Sequence, residues 1–268
     1  MERVWKYGNG PFRMAVIHGG PGSAGSVAPI ARKLGETRAV LEPLQTATTL
    51  DGQVEESRPV IEQHATTLVV FIGHSWGAWL SYLVTANYPA LVRKLILVGS
   101  GPFEEHYVPL IAKNRFRRLS QEEQEEFLQL AERLNTAETP ESAVSLSRLG
   151  ELAHKADSYD PIDWSTATTA LDVVDQRVEM YQGVWAEAAE LRRTGKLLKL
   201  SEHITCLALA IHGDCDPHPA AGVQEPLAAG LNDFRLVLLE QCGHNPWRER
   251  HAMERFYTLL EHELSTPQ

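Results

Sequence analysis

Apolar residues in this chain gather into short runs, a few of them holding one polar residue, separated by longer stretches of mixed polarity. Met14 to Ile17, Arg38 to Leu41, Leu68 to Ile72, Leu95 to Val98, Ile204 to Ile211 and Phe234 to Leu239 are such runs. Their length, their β-branched content and the turn residues beside them predict strands buried on both faces, as in a parallel sheet. Ser23 to Leu34, Asp51 to His64 and Ala78 to Asn87 read as the helices between them, and Trp247 to Leu264 as a closing amphipathic helix. From Phe103 to Leu200 the strand pattern stops. That stretch is rich in Glu, Arg, Leu and Ala at helical spacing, as in Ser120 to Leu134 and Ala170 to Arg193. Pro140, Gly150 and Pro161 are expected to break it into several helices. The pattern predicts an α/β chain with a mostly parallel central sheet flanked by helices. Its core would comprise residues 1–100 and 201–268, interrupted by a helical lid over 101–200.

The run Leu68 to Ile72 leads directly into Gly73-His74-Ser75-Trp76-Gly77 and then into a helix. G-x-S-x-G gains meaning from that context of strand, sharp turn and helix, because the turn projects a strained serine at the sheet edge. Ser75 is therefore the candidate nucleophile, and a glycine-rich βα turn is the competing reading. His18-Gly19-Gly20-Pro21-Gly22 follows the first run. It lacks the Lys-Ser/Thr of a P-loop and the G-x-G-x-x-G spacing of a dinucleotide site. A loop of backbone N–H groups serving an anion remains, and in a serine hydrolase that anion is the oxyanion.

A serine at neutral pH needs a base, and the base needs an orienting acid. In an elbow of this type the order is serine, acid, histidine, each after a strand. Eleven histidines compete. His244, in Gly243-His244-Asn245-Pro246, follows the last strand and precedes the last helix, which is the required place. His18 and His74 fall inside the two loops already assigned and read as structural hydrogen-bonding residues. The acid comes from Gly213-Asp214-Cys215-Asp216-Pro217-His218, where either Asp214 or Asp216 could accept the imidazole N–H.

Composition narrows the partners. Hydrophobic content of 43% and charged content of 22% over 268 residues suit a globular chain with a large core. A net charge of −10 without basic runs argues against nucleic acid or an anionic membrane surface. With no signal-like segment and no long apolar span, the cytoplasm is the default expectation. Three cysteines make no disulfide framework, although the loops of Cys215 and Cys242 are expected to meet, where redox pairing and two inert thiols are the alternatives. No metal or organic cofactor is implied, and oligomeric state is not readable.

These motifs together resemble the α/β-hydrolase superfamily, and within it the proline iminopeptidase-like group. The likeness rests on His18 to Gly22, Gly73 to Gly77, Gly213 to Asp216 and Gly243-His244, and it excludes the insert. It implies the α/β-hydrolase fold, Asp216 as the acid and an oxyanion hole made by the N–H groups of Gly20 and Trp76. In that group lid glutamates near a Trp-Glu pair bind the free α-amino group of the substrate. Glu104, Glu105, Glu179 and Glu187 are the candidates here, with a solvated helix face as the competing reading. Lid aromatics, Phe103, Tyr107, Phe116, Phe127, Tyr159, Trp164, Tyr181 and Trp185, predict a moderately apolar cavity. The expected activity is that of a serine hydrolase of the esterase or aminopeptidase type. It would act through an acyl-enzyme on a small ester, amide or short peptide. A carboxylesterase without peptidase activity and a non-catalytic binding protein of the same fold are the alternatives.

Overall fold

The computed structural model describes residues 3–136, 140–162 and 178–265. Its strands are β1 (Val4–Tyr7), β2 (Phe12–Ile17), β3 (Val40–Pro43), β4 (Ala65–His74), β5 (Val92–Val98), β6 (Leu207–Gly213) and β7 (Phe234–Leu239). They form one sheet in the order β1-β3-β2-β4-β5-β6-β7. β1 runs antiparallel to β3, and every other neighbouring pair is parallel. This is the α/β-hydrolase fold, a mostly parallel sheet with helices on both faces. Successive strand residues point to opposite faces, and here both faces are covered. Ala15, Ile17, Val69 and Phe71 pack into one core, while Met14, Val16, Val70 and Ile72 pack into the other. That double burial is why the inner strands read as largely apolar runs.

α1 (Ala28–Gly35), α2 (Leu50–His64) and α3 (Trp76–Asn87) connect the early strands. Between β5 and β6 come α4 (Val108–Phe116), α5 (Gln121–Thr136), α6 (Pro140–Asp157), α7 (Val178–Arg193) and α8 (Lys196–Lys199). α9 (Ala221–Gly230) precedes β7, and α10 (Met253–Ser265) closes the chain. Ile30 and Leu34 of α1 and Phe256 and Leu260 of α10 cover one face of the sheet. α2, α3, α7 and α9 cover the other. α3 is buried from Trp76 to Ala86, so it is apolar all round rather than amphipathic. α5 and α6 share a small leucine core of their own, Leu130, Leu134, Leu146, Leu149 and Leu152. No helix among the described residues is long and apolar enough to cross a membrane.

Several boundaries differ from those predicted. The helix expected from Ser23 starts at Ala28, because the preceding residues stay a loop whose Gly25 N–H donates to the buried Glu42 carboxylate (3.0 Å). Gly150 lies inside α6 rather than breaking it. The helix expected from Trp247 begins at Met253, after one turn of 3-10 helix at Pro246–Arg248. β1 and α9 are additional elements. The start of the predicted Ala170 to Arg193 helix, as far as residue 177, lies outside the described residues, as does Trp164.

Candidate active site

β4 ends at His74 and α3 begins at Trp76, so Ser75 alone makes the turn. Its φ of 54° and ψ of −116° lie where side-chain-bearing residues are rare and cost about 1–3 kcal/mol. The Ser75 N–H donates to Val98 O (2.9 Å), which anchors the turn to the end of β5. Both motif glycines are required by close approach. A Cβ on Gly73 would stand 2.1 Å from Gly77 O, and one on Gly77 would stand 2.2 Å from Ile17 O. Trp76 opens α3, so its N–H is one of those the helix leaves without an internal partner. Gly20, at φ +49°, lies in the loop after β2, the neighbour of β4 in the sheet.

The loops after β6 and β7 bring the other predicted residues together. His244 Nδ1 donates to Asp216 Oδ2 at 2.7 Å. Asp214 serves elsewhere, since its Oδ1 accepts the Cys242 N–H (3.1 Å) and ties the two loops. His244 is held on three sides. Its N–H donates to Asp157 O (2.7 Å), its carbonyl faces His74 Nε2 (3.1 Å), and its ring stacks on His218 with centroids 4.5 Å apart. Glu249, 1% exposed, accepts the N–H groups of Tyr159 (2.9 Å), Asp160 (2.8 Å) and Gly243 (3.1 Å). It thus ties the segment after α6 to the histidine loop.

Electrostatics follow from this packing. Burial opposes charge on His244, but the Asp216 carboxylate outweighs it and holds the imidazole above its ordinary pKa. Burial would raise Asp216, yet the imidazoles of His244, His218 and His212 hold it well below the usual carboxylate range. His74 and His18 are pushed down by burial, His18 to about 4, and both are neutral structural groups at neutral pH. His218, with its Nδ1 and N–H each 2.9 Å from Asp216 Oδ1, is depressed by burial. Asp216, His218 and His244 place three ligand-type atoms within 4.8 Å of one another. Hydrogen bonds from both rings to the carboxylate account for that cluster without an ion. Cys215 and Cys242 are free thiols in touching loops, the Cys215 N–H donating to Cys242 O (2.9 Å).

Ser75, His244, His218 and Gly20 line one cavity of about 350 Å³. Its remaining wall is mostly apolar, with Trp79 from α3 and Phe127, Leu146, Tyr181 and Trp185 from the helices between β5 and β6. Phe103, by contrast, is buried in the sheet core. The four glutamates considered for amine binding are not among the lining residues. Glu187 accepts the Leu50 N–H (2.7 Å) at the start of α2, and Glu105 pairs with Arg192 (2.8 Å). Asp157 is the carboxylate among the described lining residues, and Arg115 holds it through two bonds of 2.7 Å. Sequence reasoning missed Arg115, Asp157, His218 and Glu249. Only His218 carried a local signal, two residues from Asp216 in a loop after a strand.

Comparison with known proteins agrees with this architecture. Residues 15–257 match the profile of the alpha/beta hydrolase family. No protein of curated function matches the sequence. Among solved structures, VinJ superposes with a TM-score of 0.66 at 18% identity, over 97% of this chain and 94% of that one. A proline iminopeptidase from Mycobacterium smegmatis gives 0.61 at 19%, over 97% and 93%. The esterase EaEST from Exiguobacterium antarcticum gives 0.61 at 19%, over 98% and 95%. At such identities the structures share a fold. The profile match spans the chain from β2 to α10, elbow and histidine loop included, and so the chain belongs to the alpha/beta hydrolase family.

Proposed function

We propose that this chain is a serine hydrolase that cleaves a small ester or amide through an acyl-enzyme. The observation that carries the reading is the strained Ser75 sharing a cavity with a His244 whose Nδ1–H is given to Asp216. That bond leaves Nε2 of the neutral ring as an acceptor, the tautomer a general base needs. Ser75 attacks the carbonyl while His244 takes its proton. The N–H groups of Gly20 and Trp76 hold the oxyanion, each such donor contributing about 3 kcal/mol to the transition state. His244 returns the proton to the leaving alcohol or amine, and water then releases the acid by the same route. The helices within residues 101–200 act as the lid that roofs the cavity and excludes water.

Of the two activity types, the esterase reading is favoured over the aminopeptidase reading. An aminopeptidase needs an available carboxylate facing the substrate amine, and among the described lining residues the one carboxylate, Asp157, is paired with Arg115. The test is a rate comparison of 4-nitrophenyl acetate and butyrate with proline-4-nitroanilide, with Ser75→Ala as control. Ester turnover lost in Ser75→Ala, slow anilide cleavage and a fluorophosphonate adduct on Ser75 are expected. Absence of both ester turnover and the adduct would leave a non-catalytic protein of this fold.

A further inference from the structure

Among the described residues, the cavity wall carries one pair of opposite charges, Arg115 from α4 and Asp157 at the end of α6. Burying such a pair gains little net stability, because desolvation offsets the attraction, and two apolar side chains would fill the site at less cost. A ligand cavity is where a few placed polar groups fix orientation. What the pair still offers is decided by its bonds. Arg115 donates from Nε to Asp157 Oδ1 and from Nη2 to Oδ2, both at 2.7 Å. Both carboxylate oxygens are engaged, and the Asp157 carbonyl accepts the His244 N–H (2.7 Å). Nη1 takes no part in the pair, and a guanidinium has donors only. Arg115 therefore brings unspent N–H groups to the cavity wall, whereas each Asp157 oxygen has already accepted one charge-assisted bond.

We propose that the Arg115–Asp157 pair is the specificity element of this cavity. It selects substrates with an acceptor oxygen, carbonyl or carboxylate, in the part remote from the scissile bond, and it turns away those with an ammonium there. The proposal rests on the serine hydrolase reading. An acceptor oxygen gains a charge-assisted hydrogen bond from Arg115. An ammonium is repelled by the guanidinium and must share with it a carboxylate whose charge that guanidinium already offsets.

Four 4-nitrophenyl esters of equal acyl length test it: the hexanoate, the 5-oxohexanoate, the adipate monoester and the 6-aminohexanoate. Wild-type kcat/KM for the 5-oxohexanoate, the adipate monoester or both is expected about tenfold above the hexanoate. The 6-aminohexanoate should fall below it. Arg115→Met should bring the acceptor-bearing esters to the level of the hexanoate, chiefly through KM. Asp157→Asn leaves the guanidinium without its counter-charge and should widen any preference for the adipate. Preference for one acceptor ester over the other identifies whether carbonyl or carboxylate is read. Equal rates across the wild-type panel, or a preference that survives in Arg115→Met, would overturn the proposal while the hydrolase reading stands. The wild-type panel decides even where a variant does not fold. Turnover of none of the four, with no fluorophosphonate adduct on Ser75, would overturn both.

Discussion

Replacing Glu249 tests whether the histidine loop is held by one buried carboxylate. Glu249 Oε1 accepts the Tyr159 and Gly243 N–H groups, and Oε2 accepts that of Asp160. In Glu249→Ala the Gly243 N–H is left buried without a partner, at about 2 kcal/mol. Tyr159 is exposed and Asp160 half-buried, so water can replace those two bonds at about 1 kcal/mol each. The expected loss is about 4 kcal/mol, or about 10 °C in melting temperature for a chain of this size. Glu249→Gln keeps the acceptor shared by Tyr159 and Gly243 and sets an amide against Asp160, so its loss should be about 1–2 kcal/mol. Equilibrium urea unfolding gives both values, and ester turnover reports the His244 loop in the same samples. An alanine variant within about 1 kcal/mol of wild type, or a glutamine variant as unstable as the alanine one, would refute the assignment.

Four further perturbations follow from the site. In the proposed mechanism His244 must be neutral to take a proton, and Asp216 holds its pKa above the ordinary value, so kcat/KM should fall along an acid limb displaced to higher pH than a free imidazole would give. In Asp216→Asn that acid limb should move to lower pH, and kcat should fall by about 10³–10⁴-fold; a limb that stays in place would show another group controls it. Gly77→Ala puts a Cβ 2.2 Å from Ile17 O and should cost about 3 kcal/mol or more in urea unfolding, whereas a neutral effect would contradict the packing of α3 on β2. Glu187→Gln should lower stability by about 0.5–1 kcal/mol through α2 and leave the ratio of ester to anilide turnover unchanged; a changed ratio would make Glu187 a substrate residue.

The parts of this molecule legible in the sequence are those set by local rules. Doubly buried strands read as apolar runs, and the elbow reads as a strand, a tight glycine-flanked turn and a helix. The place of His244 and of the acidic loop holding Asp214 and Asp216 could be inferred because a parallel sheet delivers its C-terminal loops to one edge in chain order, whereas the choice of Asp216 over Asp214 came only from the family resemblance. β1 was not legible: four residues, Val-Trp-Lys-Tyr, on an edge strand with one buried position carry almost no periodic signal. α9 was hidden by its internal Pro226. Gly150 misled for the opposite reason, since tertiary packing of α6 against α5 overrides a weak local preference. Arg115 and Asp157 lie 42 residues apart, and Glu249 reaches back 89 and 90 residues to Asp160 and Tyr159. No local pattern encodes pairings that depend on where two helices finish in space.

The bond from His244 N–H to Asp157 O, with the clasp of Glu249 on Tyr159 and Asp160, has an engineering consequence. The helical insert is not an interchangeable cassette. Grafting helices from another hydrolase at the sheet boundaries would sever the tether that positions the histidine, however well the graft itself folded. A transplant that keeps residues 157–160 with the recipient preserves it. Under the proposed function, redesign of substrate range belongs along α4, α5 and α7, while the last turn of α6 stays with the His244 loop it is bonded to.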